Sequence, residues 1–135
     1  MSYSVHTAQP TVLVVDDESS TQRVLDRLLA LHRFTPLQAA DLPEATSIAA
    51  RERVDAFIVD LTLGPGRSGL DMVGWVRQQQ GYAMAPVFVL TGTLAISDDD
   101  QTLIREHRAQ VFYKGQSLEF LIDCLQRKLL EPQFD

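Results

Sequence analysis

Val12-Leu13-Val14-Val15-Asp16-Asp17-Glu18 is the stretch that decides the fold, because an unbroken aliphatic run stops without transition at three acids. A strand with one wet face would alternate apolar and polar residues, whereas an uninterrupted run is a strand covered on both faces, as in a parallel sheet. The acids then mark its carboxyl end. Ser19 and Gln22 follow as a capping-box pattern, and Val24, Leu25, Leu28, Leu29 and His32 recur at helical spacing. The strand is predicted to run almost directly into a helix.

The same grammar repeats along the chain. A short segment from Thr35 to Ala39 precedes a second capping pair, Asp41 and Glu44, with Pro43 tolerated in the first helical turn. Val54 to Val59 reads as a third strand ending at Asp60. The loop Gly64-Pro65-Gly66-Arg67-Ser68-Gly69 leads to a helix opening near Ser68, carrying Leu70, Val73 and Val76 and closing at Gly81. Pro86 introduces Val87-Phe88-Val89-Leu90, which ends at Thr91-Gly92, and Ser97 caps a helix whose first turn is Asp98-Asp99-Asp100. Val111-Phe112-Tyr113 is a fifth strand ending at Lys114, and Ser117 starts a last helix that Pro132 ends. Five strands alternating with five helices predict an α/β fold, a doubly wound five-stranded parallel sheet with helices on both faces. Ligands bind such sheets beyond the carboxyl ends of the strands, which puts weight on Asp16, Asp17, Asp60, Thr91 and Lys114.

The 135 residues suit one domain, read here as a lead over 1–10, the domain over 11–130 and a tail over 131–135. A net charge of -6 disfavours direct binding to nucleic acid or to an anionic membrane. No apolar run is long enough to cross a bilayer, and the first ten residues lack a basic stretch followed by an apolar core. The single cysteine, Cys124, excludes an intramolecular disulfide and fits a reducing compartment, so a cytoplasmic location is expected. His6, His32 and His107 have no metal-ligand spacing, and Trp75 is expected in or beside the core.

With those strand ends in view, Val12-Leu-Val-Val-Asp-Asp-Glu-Ser, Phe57-Ile-Val-Asp-Leu-Thr-Leu, Val89-Leu-Thr-Gly and Phe112-Tyr-Lys together resemble the receiver domain of two-component response regulators, from about Thr11 to Leu130. The resemblance implies the flavodoxin-like fold of the receiver type. It implies that Asp60 takes a phosphoryl group from the phosphohistidine of a histidine kinase or histidine phosphotransfer protein, with Thr91 and Lys114 binding phosphoryl oxygens. Such a domain is no enzyme beyond its own phosphorylation and slow self-dephosphorylation. Three carboxylates in one crevice would repel one another unless a cation joined them, and magnesium suits an oxygen-only site that keeps room for phosphate. By the resemblance, Asp17 and Asp60 ligate Mg2+ directly, Asp16 acts through water, and the carbonyl of Thr62 completes the protein's share. The surface that meets an unidentified effector, or a second copy in a homodimer, is expected on the fourth helix, fifth strand and fifth helix.

Three positions depart from the family pattern. Val111 stands where a switching aromatic is usual, Gly115 where proline follows the lysine, and Gly64 where proline is frequent, in a loop one residue longer than common. The Lys114-Gly115 bond is expected trans, because a cis bond is costly for a non-proline residue. The loop glycines do not form a nucleotide cradle, since the glycine-lysine-serine/threonine pattern is absent. Two other readings exist: an interaction module working without phosphorylation, and a phosphatase with an aspartyl nucleophile. The second needs an acid two residues after the nucleophile, where this chain has Thr62.

Overall fold

The computed structural model describes residues 9–64, 68–116 and 118–130. The expectations for His6, Ser117 and Pro132, for residues 65–67 of the glycine-rich loop, and for most of the lead and all of the tail lie outside the described residues. The strands are β1 (Thr11–Val15), β2 (Thr35–Ala39), β3 (Ala56–Asp60), β4 (Val87–Thr91) and β5 (Gln110–Tyr113). The helices are α1 (Ser19–Leu31), α2 (Leu42–Arg51), α3 (Leu70–Gln78), α4 (Asp98–Glu106) and α5 (Glu119–Leu129), with a short 3-10 turn at Gln80–Tyr82. All neighbouring strands are parallel, in the order β2-β1-β3-β4-β5. The doubly wound sheet expected from the alternation is thus the observed fold.

The unbroken aliphatic runs have a direct cause. Successive residues of a strand point to opposite faces, and here both faces are dry. Leu13, Val15, Phe57, Val59, Val87 and Val89 pack with Ala45, Ala49, Met72, Val73, Val76 and Ile104 on one side. Val12, Val14, Ala56, Ile58, Phe88 and Leu90 pack with Leu25, Leu29, Leu121, Ile122 and Leu125 on the other. The outer strands β2 and β5 are only partly buried, which is why their sequences are less uniformly apolar. Trp75 and Cys124 are half-buried against these two cores.

Several local details differ from expectation. Ser19 is the first helical residue and not the cap; Glu18 takes the cap position, its carboxylate accepting from the hydroxyls of Thr21 at 2.6 Å and Ser20 at 3.3 Å. Gln22 is drawn away from a capping role, because its amide donates to the backbone carbonyl of Asp16. The pair Asp41 and Glu44 does form a capping box: Asp41 accepts from Glu44 N–H at 2.9 Å and Glu44 accepts from Ala40 N–H at 2.7 Å. Strand β3 begins at Ala56, not Val54, since Asp55 is occupied in clamping Thr11: its N–H donates to the Thr11 carbonyl and its carboxylate accepts from the Thr11 N–H. Helix α3 stops at Gln78, before Gly81, where the chain folds under Tyr82. No peptide bond among the described residues is cis, as expected for Lys114-Gly115.

Candidate functional site

Parallel pairing brings four strand ends to one edge. Val15 pairs with Val59, Asp60 with Leu90 and Thr91 with Tyr113, so Asp16, Asp60, Thr91 and Lys114 emerge side by side. Backbone bonds continue past the strands: Leu61 N–H donates to Leu90 O and Lys114 N–H to Thr91 O, each at 2.8 Å. One oxygen from each of Asp16, Asp17 and Asp60 lies within 4.8 Å of the others. Asp16 and Asp60 are buried and Asp17 is at the exposed rim.

Lys114 is the cation among them. Its Nζ lies 3.0 Å from Asp60 Oδ2 and 3.2 Å from Asp16 Oδ2. Asp60 Oδ1 accepts from Thr62 N–H at 3.0 Å, and Asp16 Oδ1 accepts from Glu18 N–H at 2.8 Å. Asp16 Oδ2 is buried and takes no well-formed hydrogen bond; the lysine offers it charge without alignment. Desolvation raises the Asp16 carboxyl from 3.8 to about 6; the charge of Asp60 adds to it, while the Glu18 N–H and Lys114 oppose it. Burial works against the charge on Lys114, but the two carboxylates together outweigh it and raise its pKa.

Thr91 is buried at the end of β4, yet its hydroxyl is engaged in its own loop, accepting from Thr93 N–H at 3.1 Å and facing the Thr93 carbonyl at 3.3 Å. No hydrogen bond joins it to Asp60 among the described residues. The structure therefore gathers Asp16, Asp17, Asp60 and Lys114 into one cluster, with Thr91 adjacent but turned away and Thr62 bound to Asp60 through its N–H.

Two supports were not anticipated from the sequence. Gly69 donates to Leu61 O at 2.7 Å, and a Cβ there would fall 1.9 Å from the Asp60 carbonyl oxygen, so only glycine lets α3 start against the acid's own backbone. The loop's glycine content was the signal, but it indicated only a turn. Gln22 and Gln38 form the second support: Gln22 bonds the Asp16 carbonyl, Gln38 bonds the Gln22 carbonyl at 3.1 Å, and Asp16 N–H is held by Ala39 O at 3.0 Å.

Oxygen-only donors include one buried oxygen lacking a hydrogen bond, which fits a hard divalent cation, and a carboxylate beside an ammonium at the sheet edge fits a phosphate-handling site. Open α/β sheets bind their ligands beyond the carboxyl ends of the strands, where this cluster lies. The chain belongs to the response regulator receiver domain family, which matches residues 12–126, and is the receiver domain of a two-component response regulator. It is 35% identical over 89 residues to the transcriptional regulatory protein PrrA of Mycobacterium tuberculosis, covering 66% of this chain and 37% of that protein. The matched stretch spans about a third of the length of the curated relatives. The chemotaxis protein CheY4 of Vibrio cholerae superposes with a TM-score of 0.79 at 30% identity, covering 91% of this chain and 100% of that one. A response regulator from Burkholderia pseudomallei, crystallised with a phosphorylated aspartic acid, calcium ion and citrate, superposes with a TM-score of 0.75 at 26% identity, covering 89% of this chain and 68% of that one. Receiver domains are signalling modules, and no helix among the described residues is long and apolar enough to cross a membrane.

Proposed function

We propose that Asp60 accepts a phosphoryl group from the phosphohistidine of a histidine kinase or histidine phosphotransfer protein. The observation that carries this reading is the 3.0 Å contact of Lys114 Nζ with Asp60 Oδ2 inside a cluster of three carboxylates. A carboxylate oxygen of Asp60 attacks phosphorus, the phosphorus–nitrogen bond to the donor imidazole breaks, and the imidazole leaves with the bond's electron pair and takes up a proton. The product is an acyl phosphate on Asp60. Lys114 neutralises one phosphoryl oxygen, and the Thr91 hydroxyl turns from the Thr93 carbonyl to donate to another.

Magnesium is the cation the three clustered carboxylates fit; by the family resemblance Asp17 and Asp60 would hold it directly, Asp16 would act through water and the Thr62 carbonyl would complete the set. When bound, it supplies charge neutralisation for the phosphoryl oxygens. The Burkholderia pseudomallei relative was crystallised with a phosphorylated aspartic acid and a calcium ion, which supports a phosphorylated aspartate and a divalent cation here. The domain over 11–130 works in the cytoplasm, and its phosphorylation alters a face made by α4, β5 and α5 that meets an effector or a second copy of the chain.

The test is incubation of the protein with a small phosphodonor and Mg2+, followed by intact-mass analysis. One phosphoryl adduct is expected on the wild type and none on Asp60→Asn. An unmodified wild type, under conditions that modify another receiver, would refute the proposal.

A further inference from the structure

We infer that Gln22, braced by Gln38, is a positioning residue for the cation: it sets the orientation of the peptide between Asp16 and Asp17, and through it the strength with which Asp17 holds Mg2+. The inference rests on the Mg2+-binding reading of the acidic cluster and names what tunes its affinity. Asp16 is well held without Gln22. Its N–H donates to Ala39 O at 3.0 Å, its Oδ1 accepts from Glu18 N–H at 2.8 Å, and Lys114 Nζ lies 3.2 Å from its Oδ2. Asp17 has no such support. It is exposed at the rim, and its carboxylate accepts no hydrogen bond from any described residue, so its backbone alone places it. That backbone is leaving the sheet, because the ladders of β1 end at Val15, paired with Ala39 and Val59.

The Asp16 carbonyl belongs to the one rigid unit that leads to Asp17, since a peptide is planar and fixing its oxygen fixes the nitrogen and Cα that follow. The Gln22 side-chain amide donates to that oxygen from α1. Gln22 is in turn held by its own backbone: its N–H donates to Glu18 O at 3.1 Å, and its carbonyl accepts from the Gln38 amide at 3.1 Å. Gln38 stands on β2 beside Ala39, whose carbonyl takes the Asp16 N–H, so two neighbouring residues of one strand brace the Asp16 backbone on both sides. The brace has a cost. Gln38 Oε1 is buried and accepts no hydrogen bond from a described residue, and a buried unpaired acceptor destabilises the fold. An apolar side chain at position 38 would avoid that penalty, so stability does not account for the amide; the bond made by its nitrogen does. Groups that orient a metal's ligands from behind set its affinity as much as the ligands do.

Gln22→Met keeps the length of the side chain and removes the donor, and titration of the full chain with Mg2+, followed by amide NMR, tests it. The dissociation constant for Mg2+ is expected to rise on the order of tenfold over the wild type. A small phosphodonor supplies a second readout. The Mg2+ concentration for half-maximal adduct formation on Asp60 should rise by the same factor, while the rate at saturating Mg2+ stays at the wild-type value, because Asp60 and Lys114 keep their contacts. A role confined to stability would instead lower the urea midpoint of the metal-free protein and leave the Mg2+ affinity unchanged. An unchanged affinity overturns the inference and leaves the Asp60 reading standing. A wild type that binds no Mg2+ overturns both the inference and the cation reading beneath it. Should circular dichroism show Gln22→Met unfolded, Gln38→Met decides, since it releases the brace and removes the unpaired Oε1: a weaker Mg2+ affinity with an undiminished urea midpoint is expected, and wild-type affinity overturns the inference.

Discussion

Asp16 carries a conflict between folding and ligand binding. Its carboxyl, pushed up to about 6 by burial and then by Asp60, holds a proton in the folded protein at pH values where the unfolded chain, near 3.8, has lost it. More protons are thus bound to the folded state between about pH 4 and 6, so the stability of the metal-free protein falls as pH rises through that window and stays lower above it. A shift of this size corresponds to a loss on the order of 3 kcal/mol at neutral pH. Asp16→Asn is expected to raise the thermal midpoint at pH 7.5 without metal, with the gain closing below about pH 5, where the wild-type carboxyl is itself neutral. Adding Mg2+ should raise the midpoint of the wild type much more than that of the variant; thermal scans at both pH values check this. Gly69 is constrained by contact in place of charge. Gly69→Ala forces a Cβ into the Asp60 carbonyl, 1.9 Å away, and should cost about 3 kcal/mol in urea unfolding while also lowering the yield of phosphoryl adduct.

Among the elements, α3 is tied to its neighbours by one side chain. The Arg77 guanidinium donates to the carbonyls of His107 and Ala85 at 2.7 Å and of Tyr82 at 3.1 Å, with Ala83 at 3.3 Å. It thereby joins the end of α3, the turn before β4 and the end of α4. No carboxylate among the described residues neutralises it; desolvation, followed by the charge of Arg108, lowers its pKa, and carbonyl dipoles supply the compensation. Arg77→Met keeps the aliphatic stem but leaves those carbonyls unpaired, for an expected loss of about 2–4 kcal/mol in urea unfolding. Lysine should restore only part of this, because its ammonium lacks the planar fork. Adduct formation at Asp60 should persist in both variants, since Arg77 works at the amino end of β4 and Asp60 at the carboxyl edge.

At the level of the whole molecule, a single sheet separates two cores that share its strands. Phe57 faces one core and Phe88 the other, and they belong to adjacent, directly bonded strands. Neither core can lose its sheet face without exposing the other. Phe57→Ala and Phe88→Ala are each expected to cost roughly 3–5 kcal/mol. Both should lower the urea midpoint with an unchanged slope, as for one cooperative unit. A variant whose fluorescence and circular dichroism transitions separate would contradict that coupling.

The central strands were legible in the sequence because both of their faces are buried, leaving the unbroken runs at Val12 and Phe57; the edge strand from Thr35 to Ala39, with one side less covered, left a fainter trace. The acids and the lysine were legible for a topological reason: parallel crossovers return every strand end to the same edge, so Asp16, Asp60 and Lys114 had to share that edge once the alternation was read, while the strand order decided that the lysine reaches past β4 to both acids. Packing alone decided the rest. That Gly69 abuts the Asp60 carbonyl, that Gln22 serves Asp16 instead of a helix cap, and that Arg77 gathers carbonyls from two segments distant from α3 all depend on contacts that form only when the elements pack. Periodicity and strand endings report which residues are buried and where a chain turns. They carry no information about which donor meets which acceptor once the helices have closed on the sheet.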